Sequence, residues 1–143
     1  MRYVTRADVH IDRVATAWAI RRFVDPHATF LFVDRKDDVR QIDAIPFDMR
    51  GVELGHHFGR CSFEALIDKH ELREPAILLM GRIIRAIDMP LDEPPPETYA
   101  WVRSAFDELR ASGLSDEDRI IRGGAICDEL YRACVESTRH HSS

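Results

Sequence analysis

The sequence predicts an α/β fold: a small parallel sheet laid down in the order βαβαβ, flanked by helices, with an all-helical C-terminal half. Three observations carry this. Short β-prone runs, RYVT at 2–5, ATFLFV at 28–33 and GVEL at 51–54, are separated by segments of helical character. Between the first two, Ile11, Val14, Ala15 and Trp18 recur at helical spacing, with Ala17, Ile20, Phe23 and Val24 on the adjoining stripe. Beyond residue 61, every periodic segment is helical.

Each element has its own local signal. The first helix is apolar enough to be largely buried and ends at Asp25-Pro26, because proline disfavours helix in the residue before it. A short helical stretch near 36–43 precedes Pro46, and GVEL supplies the third strand. Helices follow at 61–70, with Cys61 or Ser62 as cap, and at 75–88, where Pro75 occupies the first turn. DEPPP at 92–96 reads as a stiff extended connector. Pro96 opens a helix that Gly113 closes, and Ser115 with Asp118 resembles a capping box for a last helix reaching about residue 137. Gly123-Gly124 in that helix marks a kink or a close contact, with the kink expected. The whole reads as one domain over 1–137 with a disordered tail at 138–143.

Composition narrows the function. With 143 residues the chain buries a sizeable core without staples, and its three cysteines, Cys61, Cys127 and Cys134, form no CxxC pair. A net charge of −5 argues against broad nucleic-acid binding, which draws affinity from clustered positive charge. No apolar run approaches the ~20 residues of a membrane span, and MRYVTRADVH lacks the apolar core of a secretory signal, so a cytoplasmic protein is expected. No nucleotide-binding glycine loop, serine elbow or HExxH motif occurs. What remains is metal or anion chemistry.

Parallel strands joined by right-handed crossovers release their C-terminal ends along one edge, where ligands bind in such sheets. Just past the first strand lie His10 and Asp12, able to ligate a divalent cation or to act as a base with its orienting partner, unless Asp12 simply favours the helix N-terminus. His56 and His57 are adjacent and point different ways, so one ligand is expected of them rather than two. Glu53, if buried, requires a cation or donor; otherwise it faces solvent. Cys61 at a helix start is either a thiol of lowered pKa or a small packing residue. Asp88 ends an apolar helix, where the dipole is unfavourable to a carboxylate; Arg85 or Arg82 could compensate it, and so could a metal. Arg13 pairs with Asp12 or binds an anion near the helix start.

The stretches VTRADVHIDRVATAWAIRRFVDPHATFLFV, PFDMRGVELGHHFGRCSFEALIDKHEL and IIRAIDMP, and more faintly DELYRAC, resemble in order the C-terminal domain of bacterial chromate-resistance proteins of ChrB type. The likeness spans nearly the whole chain. It implies a role in resisting or sensing chromate, and it draws attention to His10, Asp12, Arg13, Arg21, Arg22, Glu53, His56, Cys61 and Asp88. Full-length relatives carry an N-terminal region associated with regulating chromate-efflux operons, which this chain does not include, so it is not expected to bind DNA alone. Where relatives usually have Cys-Pro this chain has Thr16-Ala17, which removes a redox cysteine at position 16. Glu64 stands for a typical aspartate and His70 for a typical tyrosine, and a histidine expected near the start of the last helix is missing, with Asp118 or Arg119 nearby.

The preferred expectation is a cytoplasmic domain holding a divalent transition metal, zinc, manganese or iron, through His10, Asp12, His56 and Asp88. Glu53, His57 and Cys61 are additional candidate ligands, and Arg13, Arg21 and Arg22 would hold a small oxyanion such as chromate. Two alternatives stay open. One is a metal-dependent hydrolase distantly resembling phosphoesterases of the DHH class, though without their hallmark triplet. The other is an interaction module without a chemical site. Trp101 and the apolar faces of the later helices offer either a homodimer interface or completion of the core.

Overall fold

The computed structural model describes residues 1–57, 59–89 and 96–141, and of 140 and 141 the backbone alone. Three parallel strands, β1 (Arg2–Arg6), β2 (Thr29–Val33) and β3 (Ile45–Pro46), lie in the order β2-β1-β3. Val4 is opposite Leu31 on one side and Pro46 on the other. Tyr3, Val4 and Thr5 of this central strand are all buried, and the Thr5 hydroxyl donates to the Phe47 carbonyl at 2.7 Å, which satisfies it inside the core. The parallel α/β architecture with a helical C-terminal half is the one the sequence predicts.

The third strand is not where the sequence puts it. Ile45–Pro46 pairs with β1, while 51–54 forms a turn whose Leu54 makes a lone parallel bridge to Phe47. Asp48 and Gly51 take positive φ, +49° and +79°, and bend the chain away from the sheet before Val52 and Leu54 can extend it. Proline is tolerated in β3 because it lies at the sheet's edge. The helical stretch expected at 36–43 is a single 3₁₀ turn, Val39–Gln41.

After β1 comes α1 (Ile11–Ala19), which continues through a π-helical turn, Ile20–Val24, in which the Asp25 N–H reaches the Ile20 carbonyl at 2.8 Å. Helix α1 is the hub, touching α2 (Ser62–Lys69), α3 (Pro75–Asp88) and α5 (Asp116–His141). Its Val14, Ala15, Ala17 and Trp18 are buried, as their periodicity predicts. Helix α4 (Ala100–Ala111) follows a 3₁₀ turn at Glu97–Tyr99 and packs on α5. The Ser115 hydroxyl accepts from the Asp118 N–H at 3.2 Å, the expected cap of α5.

Helix α5 corrects two readings. Gly123 marks a close approach rather than a kink: a Cβ there would lie 2.3 Å from Val14 Cγ1, so glycine is what lets α5 settle on α1. Residues 138–141 are helical rather than a frayed tail, and the Thr138 hydroxyl bonds back to the Cys134 carbonyl at 2.9 Å. Residues 142 and 143, and 92–95 of the expected stiff connector, lie outside the described residues. Trp101 packs against the core.

Candidate metal centre

Because β1 and β3 run parallel, the loops that leave their C-terminal ends emerge together. The loop after β1 leads into α1, and the second residue of that helix is Asp12. Its carboxylate is only 2% exposed, and it accepts from the backbone N–H groups of Ser62 at 2.8 Å and Phe63 at 2.9 Å. A side chain of α1 thereby satisfies the free N–H groups that open α2. The N-terminus of α2 offsets part of the cost of burying a charge.

The loop after β3 brings Asp48. Its Oδ1 accepts from the Ser62 hydroxyl at 2.7 Å, and its Oδ2 lies 2.8 Å from Arg13 Nε. Further along, His56 turns inward: its Nε2 is 3.1 Å from Asp12 Oδ2, 3.5 Å from Asp48 Oδ1 and 3.6 Å from Asp88 Oδ2. Asp88, the last residue of α3, reaches the same point. Ligand-capable atoms of Asp12, Asp48 and His56 all lie within 4.8 Å of one another. A pocket of about 270 Å³ opens onto them and is shared with His10, Arg13 and Arg110.

Three carboxylates facing one imidazole disturb each other's protonation. Hydrogen bonds to Asp12 and then Asp48 hold the His56 imidazolium up to about 10. Burial, with repulsion from Asp12 and Asp48 added, pushes Asp88 to about 7. Burial raises Asp12 and outweighs its hydrogen bonds from His56, Phe63 and Ser62. In Asp48 burial also raises the carboxyl, but His56, Ser62 and Arg13 outweigh it and the net direction is down. The cluster therefore holds more negative charge than its own Arg13 balances, and it is relieved by a proton on His56 or by a cation in its place. One imidazole nitrogen with carboxylate oxygens is a donor set suited to a borderline or hard divalent ion.

The structure brings Asp12, His56 and Asp88 together and places His10 at the rim of the same pocket, where its Nε2 lies 3.4 Å from Asp107 Oδ1. His57 points away, within 2.9 Å of the Val52 and 2.8 Å of the Glu53 carbonyls, so one histidine of the pair enters and the other holds its own loop. Glu53 is exposed and faces Lys69 at 3.6 Å, outside the cluster. Cys61 is fully buried, and burial pushes its thiol up rather than down, which removes it as a reactive thiolate. Arg85 pairs with Glu64 at 3.4 Å and leaves Asp88 uncompensated by its own helix.

The three arginines do not converge. Arg13 belongs to the cluster, bound to Asp48. Arg21 stacks 4.5 Å over Phe30, donates to the Ala28 carbonyl and meets Glu117; Arg22 lies over Phe23 and Tyr131. These two line a separate groove beside Trp18 and Ile121.

Sequence reasoning missed Asp48. A carboxylate immediately after a strand's C-terminal end was the available signal. Placing the third strand at 51–54 put Asp48 ahead of the strand, at the wrong end of the sheet.

Fold and cluster together define a small parallel α/β domain with an acidic, histidine-bearing centre at its strand edge. The chain belongs to the family described as ChrB, C-terminal domain, whose model matches residues 3–134. It is 43% identical over 136 residues to Protein ChrB of Cupriavidus metallidurans, an alignment that covers 90% of this chain and 39% of that protein. No solved structure matches it. Among the described residues no helix is long and apolar enough to cross a membrane.

Proposed function

We propose that this domain holds a divalent transition metal between Asp12, Asp48, His56 and Asp88 and serves chromate resistance as a metal-dependent sensing or handling module in the cytoplasm. The observation that carries the reading is the mutual approach, within 4.8 Å, of ligand atoms from Asp12, Asp48 and His56, with Asp88 at 3.6 Å from the imidazole. These groups come from positions 12, 48, 56 and 88, and a shared cation would compensate three carboxylates that crowd one imidazole. Three oxygens to one nitrogen lean toward manganese or iron over zinc. ChrB family membership supports the chromate role.

The pocket also bears on how an oxyanion would be received. Asp8, Asp12, Asp48 and Asp88 line it, and its two arginines are engaged, Arg13 by Asp48 at 2.8 Å and Arg110 by Asp8 at 2.6 Å. Neither arginine is free to take up an anion directly. Chromate would therefore enter by way of the bound cation, with arginine as an accessory.

Elemental analysis of native protein purified without chelator tests the reading. About one metal ion per chain is expected, lost on His56→Ala and Asp48→Asn and largely retained on His10→Ala, since His10 stands at the rim. Metal content near zero in the native protein would end the proposal.

A further inference from the structure

Ser62 stands where two of the proposed ligands meet. It is fully buried at the first position of α2. Its backbone N–H donates to Asp12 Oδ2 at 2.8 Å, and its hydroxyl donates to Asp48 Oδ1 at 2.7 Å. The hydroxyl is not needed to cap its own helix, because Asp12 already accepts from the first two N–H groups there and the Cys61 N–H goes to Glu64 Oε1 at 3.2 Å. It is aimed at the carboxylate of a neighbouring loop instead.

That loop is held from two sides. Asp48 is a non-glycine residue at φ +49°, a conformation uncommon outside glycine, though aspartate is among the residues that enter it most readily. Arg13 grips one carboxylate oxygen from the solvent side and Ser62 the other from the buried side. Arg13 is Asp12's neighbour in the chain, and Ser62 bonds the Asp12 carboxylate itself. Ser62 is thus hydrogen-bonded to the carboxylates of both a ligand carried by α1 and a ligand carried by the β3–α2 loop.

We propose that Ser62 is a positioning residue of the metal centre, holding Asp12 through its N–H and Asp48 through its hydroxyl at the spacing that a divalent ion requires. The inference rests on the metal-binding reading above. Hydrogen bonds to ligating carboxylates orient them, and losing one weakens metal affinity by roughly 10–100-fold.

The experiment titrates manganese(II), and separately zinc(II), into the metal-free full chain and into three variants, and records thermal melting of each without metal. Ser62→Ala deletes one oxygen atom and retains the N–H to Asp12. It is expected to weaken affinity by about 10–100-fold, and Ser62→Thr, which keeps a hydroxyl on the same carbon, to recover most of the loss. Glu64→Gln loosens the same helix end through the Cys61 N–H and Arg85 without touching a ligand. It should lower the melting temperature and leave affinity unchanged. Equal affinity in wild type and Ser62→Ala overturns the positioning role alone, as does an equal loss in Ser62→Ala and Glu64→Gln, which would mean general loosening of α2. A wild-type chain that takes up neither ion overturns the metal reading, and the inference falls with it.

Discussion

At its N-terminal end α1 places Asp12 among Asp48, Asp88 and His56; at its C-terminal end the π-helical turn sets Arg21 and Arg22 against the rings of Phe30, Phe23 and Tyr131. Both ends carry charge, but they handle it in opposite ways. The guanidiniums are spread over aromatic faces and partly hydrated, so each is balanced where it stands. The carboxylates are gathered at one place, wholly or partly buried, and are balanced only jointly, by Arg13 and a proton on His56. Charge that is locally satisfied is structural; charge that is concentrated and under-compensated is where a ligand is to be sought.

The comparison breaks most visibly at Asp12. Asp12→Ala leaves the N–H groups of Ser62 and Phe63 without their acceptor in a buried place. It should cost about 3 kcal/mol in urea unfolding of the metal-free protein. A loss below about 1 kcal/mol would mean that the carboxylate is not the cap of α2.

A second test uses pH. His56 in the folded chain is raised from 6.5 to about 10 and Asp88 from 3.8 to about 7. The folded state therefore binds more protons than the unfolded one across this span, and stability falls as pH rises. The His56 contribution is complete below about pH 6.5 and lost through about 10; that of Asp88 is complete below about 3.8 and lost through about 7. Asp12, also raised, acts in the same sense, and Asp48, lowered, opposes it. The melting temperature of metal-free protein should drop by several degrees between about pH 5 and about pH 9, and Asp88→Asn should flatten the lower half. A profile that rises with pH contradicts the arrangement.

The smallest effect belongs to the other end of the helix. Arg22→Ala gives up its stacking on Phe23 and Tyr131 and should cost roughly 0.5–1 kcal/mol. Metal content, measured on the same preparation, should not change. If it does, the two ends of α1 are coupled and the contrast between them fails.

Much of this was legible in the chain. The periodicity of Ile11, Val14, Ala15 and Trp18 marked the hub helix, and the end of the first strand followed by His10 and Asp12 pointed to the right edge, whereas His56 was placed there through a strand at 51–54 that is in fact a turn. Asp88 was conspicuous because a carboxylate at the end of an apolar helix is electrostatically misplaced. Asp48 was not legible, because a strand assigned six residues late moved it to the wrong edge, and a positive φ at aspartate leaves no periodic trace. Arg21 and Arg22 looked like anion ligands because a sequence shows charge and hides the ring that accepts it.

By itself the sequence determined the first two strands, the hub helix and the helical C-terminal half, since hydrophobic period, caps and proline stops act over a few neighbouring residues, while the ChrB-type family was legible in the resemblance of its motifs. Tertiary structure alone decided that Ile45–Pro46 rather than 51–54 completes the sheet, that Gly123 admits Val14, and that residues 12, 48, 56 and 88 share one point. Such meetings depend on strand register, loop bends and the packing of α3 and α5 on α1. These are set by the whole core at once, and no local stretch encodes them.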